Sequence, residues 1–395
     1  GRGGRGGNSD RGGRGGRGGR GGRDGQRDRK SGADNAPGLL SSLRQLVGTR
    51  DLEIVDCAGH LAELSKDQHG SRFIQQKLEV CNDATKETVF DELIPHALSI
   101  VDDLFGNYVM QKLLVHGSPD QRMRVVKALH GQTLELSCKM YGCRVIQKAF
   151  ETLDQPGRLV LVDELKSHVE KLVHDQNGNH VIQRCIQTVR PLSSIRFILD
   201  PFRNHIPALS RHPFGCRVVQ RVLENFTDSV DDVWVLAEVI EQVDKLIEDQ
   251  YGNYVVQHVL EHGQYSDKMI IAESVRDSLL RLCRHKFGSN IVELVMKNMK
   301  QDFVEGLIDI MLVPDPNSDS GSGDMGLPLE KMMTDSFANY VVQRVIRMAN
   351  PTQLEVIRQC ITLQADVLRN YSYGKHILAC LKGQDRSAHA KHLPQ

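Results

Sequence analysis

The sequence predicts an all-α solenoid of eight repeats closed by a half-repeat at each end. Three observations predict it: a short motif that recurs at an almost fixed interval, a helix-like amphipathic stretch after each copy, and partial copies flanking the series. The motif appears as GSRFIQQ at Gly70, GNYVMQK at Gly106, GCRVIQK at Gly142 and GNHVIQR at Gly178. It continues as GCRVVQR at Gly215, GNYVVQH at Gly252, GSNIVEL at Gly288 and ANYVVQR at Ala338. Successive intervals are 36, 36, 36, 37, 37, 36 and 50 residues. A constant period in this range means stacked supersecondary units sharing one continuous core, rather than the two or three unrelated domains that 395 residues would otherwise suggest.

The elements follow in order. Residues 1–34 form an arm of Arg-Gly-Gly units; residues 1–32 alone hold 15 Gly and no apolar side chain. Such a segment cannot bury enough surface to offset its ordering entropy and is expected to be disordered. The repeat domain spans 37–382. Residues 37–58 and 363–382 read as capping half-repeats, the latter carrying a degenerate ninth motif, YGKHILA, with its Gly at 374. Within a repeat, a short segment such as 98–105 or 246–251 ends in an aromatic residue. The motif Gly follows and gives a Cβ-free start to the motif helix. A second helix comes next, for example 119–129, where Pro119 opens the first turn. The interval of 50 contains an acidic, Gly- and Ser-rich insertion at about 314–328, expected to be flexible. Residues 385–395 read as a frayed tail.

Charge and cysteine usage narrow the function classes. The chain carries 50 basic and 50 acidic residues, a formal net charge of zero. The balance is uneven: residues 1–32 hold nine Arg and one Lys against three Asp, leaving the remaining chain at −7. Eleven-residue windows from each motif start hold eleven Lys or Arg and five Glu, so the motif helices are net basic inside an acidic body. No run approaches the roughly 20 apolar residues that a membrane helix needs. The chain opens on Gly rather than Met, which marks it as a candidate fragment. Nine scattered cysteines without a CxxC pair predict reduced thiols, not a disulfide frame or a metal site. No HExxH, P-loop or dinucleotide fingerprint occurs, and no His accompanies Cys143 or Cys216 to activate a thiol. An enzyme is not expected, and neither is a cofactor.

The motif helices carry the functional signal. At 100° per residue, the first, second and fifth residues after the motif Gly fall on one arc, and the third and fourth point away. The third and fourth are apolar, as in Val109 and Met110, and are expected to be core. The other three are expected to be presented. They are Ser71/Arg72/Gln75, Asn107/Tyr108/Gln111, Cys143/Arg144/Gln147 and Asn179/His180/Gln183 in repeats 1 to 4. Repeats 5 to 8 give Cys216/Arg217/Gln220, Asn253/Tyr254/Gln257, Ser289/Asn290/Glu293 and Asn339/Tyr340/Gln343. The second residue is always flat (a ring, a guanidinium or an amide plane), as base stacking requires. The fifth is Gln seven times and Glu once, groups that pair with base edges. Lys112, Lys148, Arg184, Arg221 and Arg344 follow the fifth place and are candidate phosphate contacts.

These motifs resemble those of the Pumilio/PUF family of RNA-binding proteins, over residues 37–382 and in all eight repeats. The resemblance implies a right-handed crescent whose inner face binds single-stranded RNA antiparallel to the chain, one base per repeat. Its reading rule makes chemical sense: Glu accepts from the guanine N1–H and N2–H₂ donors, Gln suits adenine or uracil, Asn at the first place complements uracil, and Ser or Cys leaves room for a purine. Read from repeat 8 backwards, the expected element is 5′-UGUAUAUA-3′. The resemblance further implies a cytoplasmic, monomeric regulator of mRNA translation and decay. It would bind 3′ untranslated regions and recruit deadenylation or translational-repression proteins to its convex face. Alternatives are a ribosome-biogenesis factor with relaxed reading, which intact triplets disfavour, and an armadillo-like scaffold gripping peptide. The RGG arm is a plausible second, non-specific RNA contact.

Overall fold

The computed structural model describes residues 52–226, 233–314 and 326–391, with side chains as far as residue 384. The arm at 1–34, the first part of the N-terminal half-repeat and most of the insertion lie outside the described residues. Among the described residues every regular element is a helix. The motif helices are Gln68–Val80, Gly106–His116, Gly142–Thr152, Gly178–Thr188, Gly215–Phe226, Gly252–His262, Gly288–Asn298 and Ala338–Met348. Each packs on the motif helix of the repeat before and the repeat after, so the eight lie side by side in chain order. This is the expected all-α solenoid. Ser372–Lys391 covers the open side of the last motif helix, as a capping half-repeat should. That helix continues through residue 391, so the backbone of 385–391 is helical where the sequence suggested a frayed tail. Residues 392–395 lie outside the described residues.

Packing follows the apolar spacing. The third, fourth, seventh and eighth residues after the motif Gly are buried in repeat after repeat: Val109, Met110, Leu113 and Leu114, then Val145, Ile146, Ala149 and Phe150. Four such positions make a stripe on one helix face, and each large apolar side chain there contributes about 1.5–3 kcal/mol by leaving water. The stripes join into one core running the length of the described repeats.

The starts of the motif helices are fixed by two devices. A Cβ on Gly106 would lie 2.6 Å from the Ile100 carbonyl oxygen, and one on Gly142 would lie 2.7 Å from that of Leu136. At these two positions the close approach of the motif helix to the short helix before it leaves no room for a Cβ, whereas repeat 8 carries Ala338 at the same place. The second device is a cap three residues before the motif Gly. Asp103 Oδ1 accepts from the backbone N–H groups of Phe105 and Gly106, at 2.9 and 2.8 Å. Asp67, Asp175, Asp249 and Asp335 do the same in repeats 1, 4, 6 and 8.

Repeats 5 and 7 use histidine instead: His212 Nδ1 and His285 Nδ1 each accept from the motif Gly N–H at 3.1 Å. A ring nitrogen accepts only while it carries no proton. Burial, and then the neighbouring His174, push His212 below its usual value near 6.5. The cap therefore contributes fully above about pH 6.5 and is lost as pH falls through the lower folded-state value. We expect His212→Asp to lessen the loss of stability between neutral and mildly acidic pH, by about 1 kcal/mol at the acidic end. Urea denaturation midpoints measured across pH check this; parallel profiles for the two proteins would contradict it.

The outer elements complete each repeat. Pro119–Ala128 begins with a capping box of Ser118 and Gln121 and has Pro at its first position, as the sequence suggested. Outer-helix carboxylates reach back to the start of the short helix that opens their own repeat: Glu92 accepts from Gly59 and Leu61 N–H, Glu164 from Gly131 and Thr133 N–H. Repeat 4 departs from the pattern. Its outer element is a 3₁₀ helix, Leu192–Ile198, followed by another at Asp200–Phe202. Pro201 has no N–H to donate, so an α-helix begun after Pro191 would break there.

Candidate nucleic-acid interface

The triplets occupy three distinct depths. Every second residue (Arg72, Tyr108, Arg144, His180, Arg217, Tyr254, Asn290 and Tyr340) is exposed. They form a ridge of flat groups along the stacked motif helices. Tyr108, Tyr254 and Tyr340 expose 54, 44 and 58% of their surface, which is unusual for tyrosine without a partner. The Arg217 guanidinium lies 5.0 Å from the centre of the Tyr254 ring, so the second-place groups of repeats 5 and 6 come within stacking range of each other. His180 is held below its usual pKa by burial and by Arg144, and stays a neutral, flat platform at neutral pH.

The first residues are not presented. Ser71, Asn107, Cys143, Asn179, Cys216, Asn253, Ser289 and Asn339 are all at most 4% exposed. The expectation that they share an open arc with the second and fifth residues is corrected. The glycine-permitted contact with the preceding short helix covers the first turn, and the side chain that starts it is enclosed. Asn107 Nδ2 donates to the Asp103 and Leu104 carbonyls, at 2.9 and 3.0 Å. Its Oδ1 is thereby turned toward the fifth residue and accepts from Gln111 Nε2 at 3.0 Å. Asn179–Gln183, Asn253–Gln257 and Asn339–Gln343 repeat the arrangement at 2.9, 2.7 and 3.4 Å. The carbonyls dictate which Asn atom faces the Gln, and that dictates which Gln atom faces out. In all four Asn repeats the outward group is the Gln Oε1, an acceptor.

The Ser and Cys repeats lack this clamp. Gln147 Nε2 donates instead to the Cys143 backbone carbonyl at 3.0 Å. Gln220 is buried, with Oε1 accepting from Arg217 at 3.4 Å and Nε2 without a partner. Gln75 and Glu293 are half-buried. Burial raises the proton affinity of Glu293, opposed by Arg344 and Arg347. The interface thus alternates in how the fifth residue is held: even repeats clamp Gln through the first-place Asn, and odd repeats, with Ser or Cys there, hold an amide by other partners or carry a carboxylate.

The sixth-place cations are half-buried and engaged. Lys112 pairs with Glu79, Lys148 with Glu151, Arg184 with Glu151 at 3.2 Å, Arg221 with Glu224, and Arg344 with Glu293 at 3.8 Å. A phosphate must compete with these carboxylates, which lowers the electrostatic return of each contact. The caps at Asp103 and its equivalents, and the Asn–Gln clamps, were not singled out in the sequence. An Asp or His recurring three residues before the motif Gly was the available signal for the caps.

Nothing here resembles a reactive centre. Burial pushes the Cys143 and Cys216 thiols up, away from thiolate, and Cys185 up to about 12. Among the described residues no group of His, Cys, Asp and Glu is placed to hold a metal, and no helix is long and apolar enough to cross a membrane.

Comparison with known proteins matches the repeats and the fold. A family model described as Pumilio-family RNA binding repeat matches eight times, over residues 60–94, 103–130, 132–166, 168–199, 205–233, 242–275, 278–312 and 330–362. The fold is similar to the Puf3 RNA binding domain bound to a Cox17 RNA 3′ UTR recognition sequence, at 37% identity and TM-score 0.78, covering 87% of this chain and 99% of that one. It is also similar to PUF-8 in complex with PBE-RNA, at 34% identity and TM-score 0.76, with the same coverage. A Pumilio domain-containing protein of Schizosaccharomyces pombe is 39% identical over 335 residues, 85% of this chain and 41% of its own length. The chain spans about half or less of such curated relatives; Pumilio homolog 12 of Arabidopsis thaliana, 29% identical, is covered over 54%.

Proposed function

We propose, from the premise that this chain belongs to the Pumilio family of RNA-binding repeat proteins, that it reads the single-stranded element 5′-UGUAUAUA-3′ antiparallel to its repeats. Members of this family bind RNA and are not enzymes, and a solenoid without a reactive centre acts by holding its ligand and its partners. The observation that carries the sequence assignment is the alternation of the interface. The four clamped glutamines, Gln111, Gln183, Gln257 and Gln343, turn Oε1 outward. An outward acceptor complements the N3–H donor of uracil and meets the N1 acceptor of adenine unfavourably. Even repeats therefore disfavour adenine, and the family's reading rule for Asn with Gln selects uracil. Among the odd repeats, Glu293 accepts from the two donors of guanine, and the adenine assignment of repeats 1, 3 and 5 rests on the small first-place Ser71, Cys143 and Cys216, which leave room for a purine beside Gln75, Gln147 and Gln220. Stacking on the second-place ridge supplies affinity common to all bases.

The targets we propose are 3′ untranslated regions of mRNAs in the cytoplasm. The related Puf3 domain, crystallised on a 3′ UTR recognition sequence, supports this choice. The consequence would be translational repression or decay through proteins recruited to the outer face of a monomer. Titration with UGUAUAUA and with its reverse, AUAUAUGU, tests the reading. The two RNAs share composition and charge, so backbone contacts alone would bind them equally. We expect the forward element to bind more than about 100-fold tighter, because several bases of the reverse meet the wrong reader at roughly 1–3 kcal/mol each. Equal affinities would defeat it.

A further inference from the structure

We infer that Arg344, on the motif helix of repeat 8, is the positioning residue that holds the Glu293 carboxylate as a guanine reader in repeat 7. The inference rests on the register proposed above, in which repeat 7 meets the guanine. Arg344 occupies the sixth place, where the sequence suggested a phosphate contact. Its Nη2 lies 3.8 Å from Glu293 Oε2, with the two side chains only 31 and 25% exposed. Its Nε is buried and has no hydrogen-bond partner. The guanidinium is thus drawn inward against the carboxylate rather than extended into solvent.

This pairing differs from the others along the rim. Lys112 faces Glu79 and Arg184 faces Glu151, carboxylates at the ninth place after the motif Gly that belong to no reading triplet. Repeat 7 has Lys297 at its ninth place, and the cation of repeat 8 meets the reading residue itself. Among the described residues it is the single sixth-place cation that does so.

The chemistry explains why a reader would need such a partner. Guanine offers two donors, N1–H and N2–H₂, and only an ionised carboxylate accepts both. A protonated carboxyl, with one donor and one acceptor, resembles Gln and suits adenine. Burial favours the protonated form of Glu293, and Arg344, then Arg347, oppose it. These two are the charged groups bearing on Glu293. The motif helix of repeat 6 brings Gln257 and His258 to the same level, and burial keeps His258 neutral. Lys297 lies one turn further along the same helix, and no charged group of the short helix Leu279–Cys283 or the outer helix Tyr265–Asp277 acts on the carboxylate.

The test is affinity for UGUAUAUA and for the same RNA with A at the second base, measured between about pH 5 and 8 for the full chain and three variants. In the wild type the preference for G should fall as pH drops through the Glu293 pKa. In Arg344→Gln that fall should move up by about one pH unit, the low end of the effect of losing an opposite charge at this range, which narrows the pH range over which G is preferred. Arg344→Lys should restore most of it, and Glu293→Gln should show no pH dependence of the G-to-A ratio. If Arg344→Gln weakens both RNAs equally, lowers the salt dependence and leaves the pH profile unchanged, Arg344 is a phosphate contact and the inference is overturned. A wild type without preference for G at any pH would overturn the register as well.

Discussion

Glu293→Gln is expected to reverse the preference at the second base of the element from guanine to adenine. The change converts the reading pair of repeat 7, Ser289 with Glu293, into that of repeat 1, Ser71 with Gln75. Guanine N2–H₂ or N1–H would then face the amide Nε2, donor against donor, while the adenine N1 and N6 find one donor and one acceptor. A mispaired base edge costs about 1–3 kcal/mol, roughly a 5- to 150-fold loss on the G-containing RNA. The fold is not at stake, because Glu293 is half-buried at the open face and the core positions Ile291 and Val292 are unchanged. Parallel titrations of the two RNAs with wild type and variant measure the switch; unchanged binding to the G-containing RNA would place guanine opposite another repeat.

The largest effect on stability is expected from Phe150→Ala. Phe150 is fully buried on the motif helix of repeat 3, within the continuous core. Truncating a buried phenylalanine costs about 3–5 kcal/mol, from lost transfer energy and the cavity left behind. A solenoid concentrates the damage, since each repeat is held by its neighbours alone. Urea denaturation followed by circular dichroism should show an earlier midpoint and a less cooperative transition. Recognition of the UGUA half, assigned to repeats 5 to 8, should survive without denaturant. A loss below about 1 kcal/mol would mean that the site collapses around the smaller side chain.

The architecture was legible because its determinants are local and repeated. The motif interval, the apolar third and fourth residues and the Pro at the start of outer helices all correspond to elements of the structure. Repeat 4 was less legible, since its outer stretch forms 3₁₀ turns where the repeat pattern suggests an α-helix. For the interface, helical angles separated core from surface but not depth from exposure. They placed Asn107 beside Tyr108, and could not show that the preceding short helix covers one and leaves the other open. The role of Asn107 as a clamp on Gln111 depends on backbone carbonyls of Asp103 and Leu104, which no side-chain pattern reveals. The pairing of Lys112, Arg184 and Arg344 with carboxylates of the preceding repeat was hidden for the same reason: partners such as Lys112 and Glu79 lie 33 residues apart.

The alternating interface makes one claim above the others, that base identity is set repeat by repeat, with uracil at every even repeat. Selection of RNA from a random pool by the full chain tests it most directly. Enrichment of UGUAUAUA is expected, with G fixed at the second base and U at the first, third, fifth and seventh. A pool that yields no shared element, or one in which purines fall opposite the clamped glutamines of repeats 2, 4, 6 and 8, would contradict it.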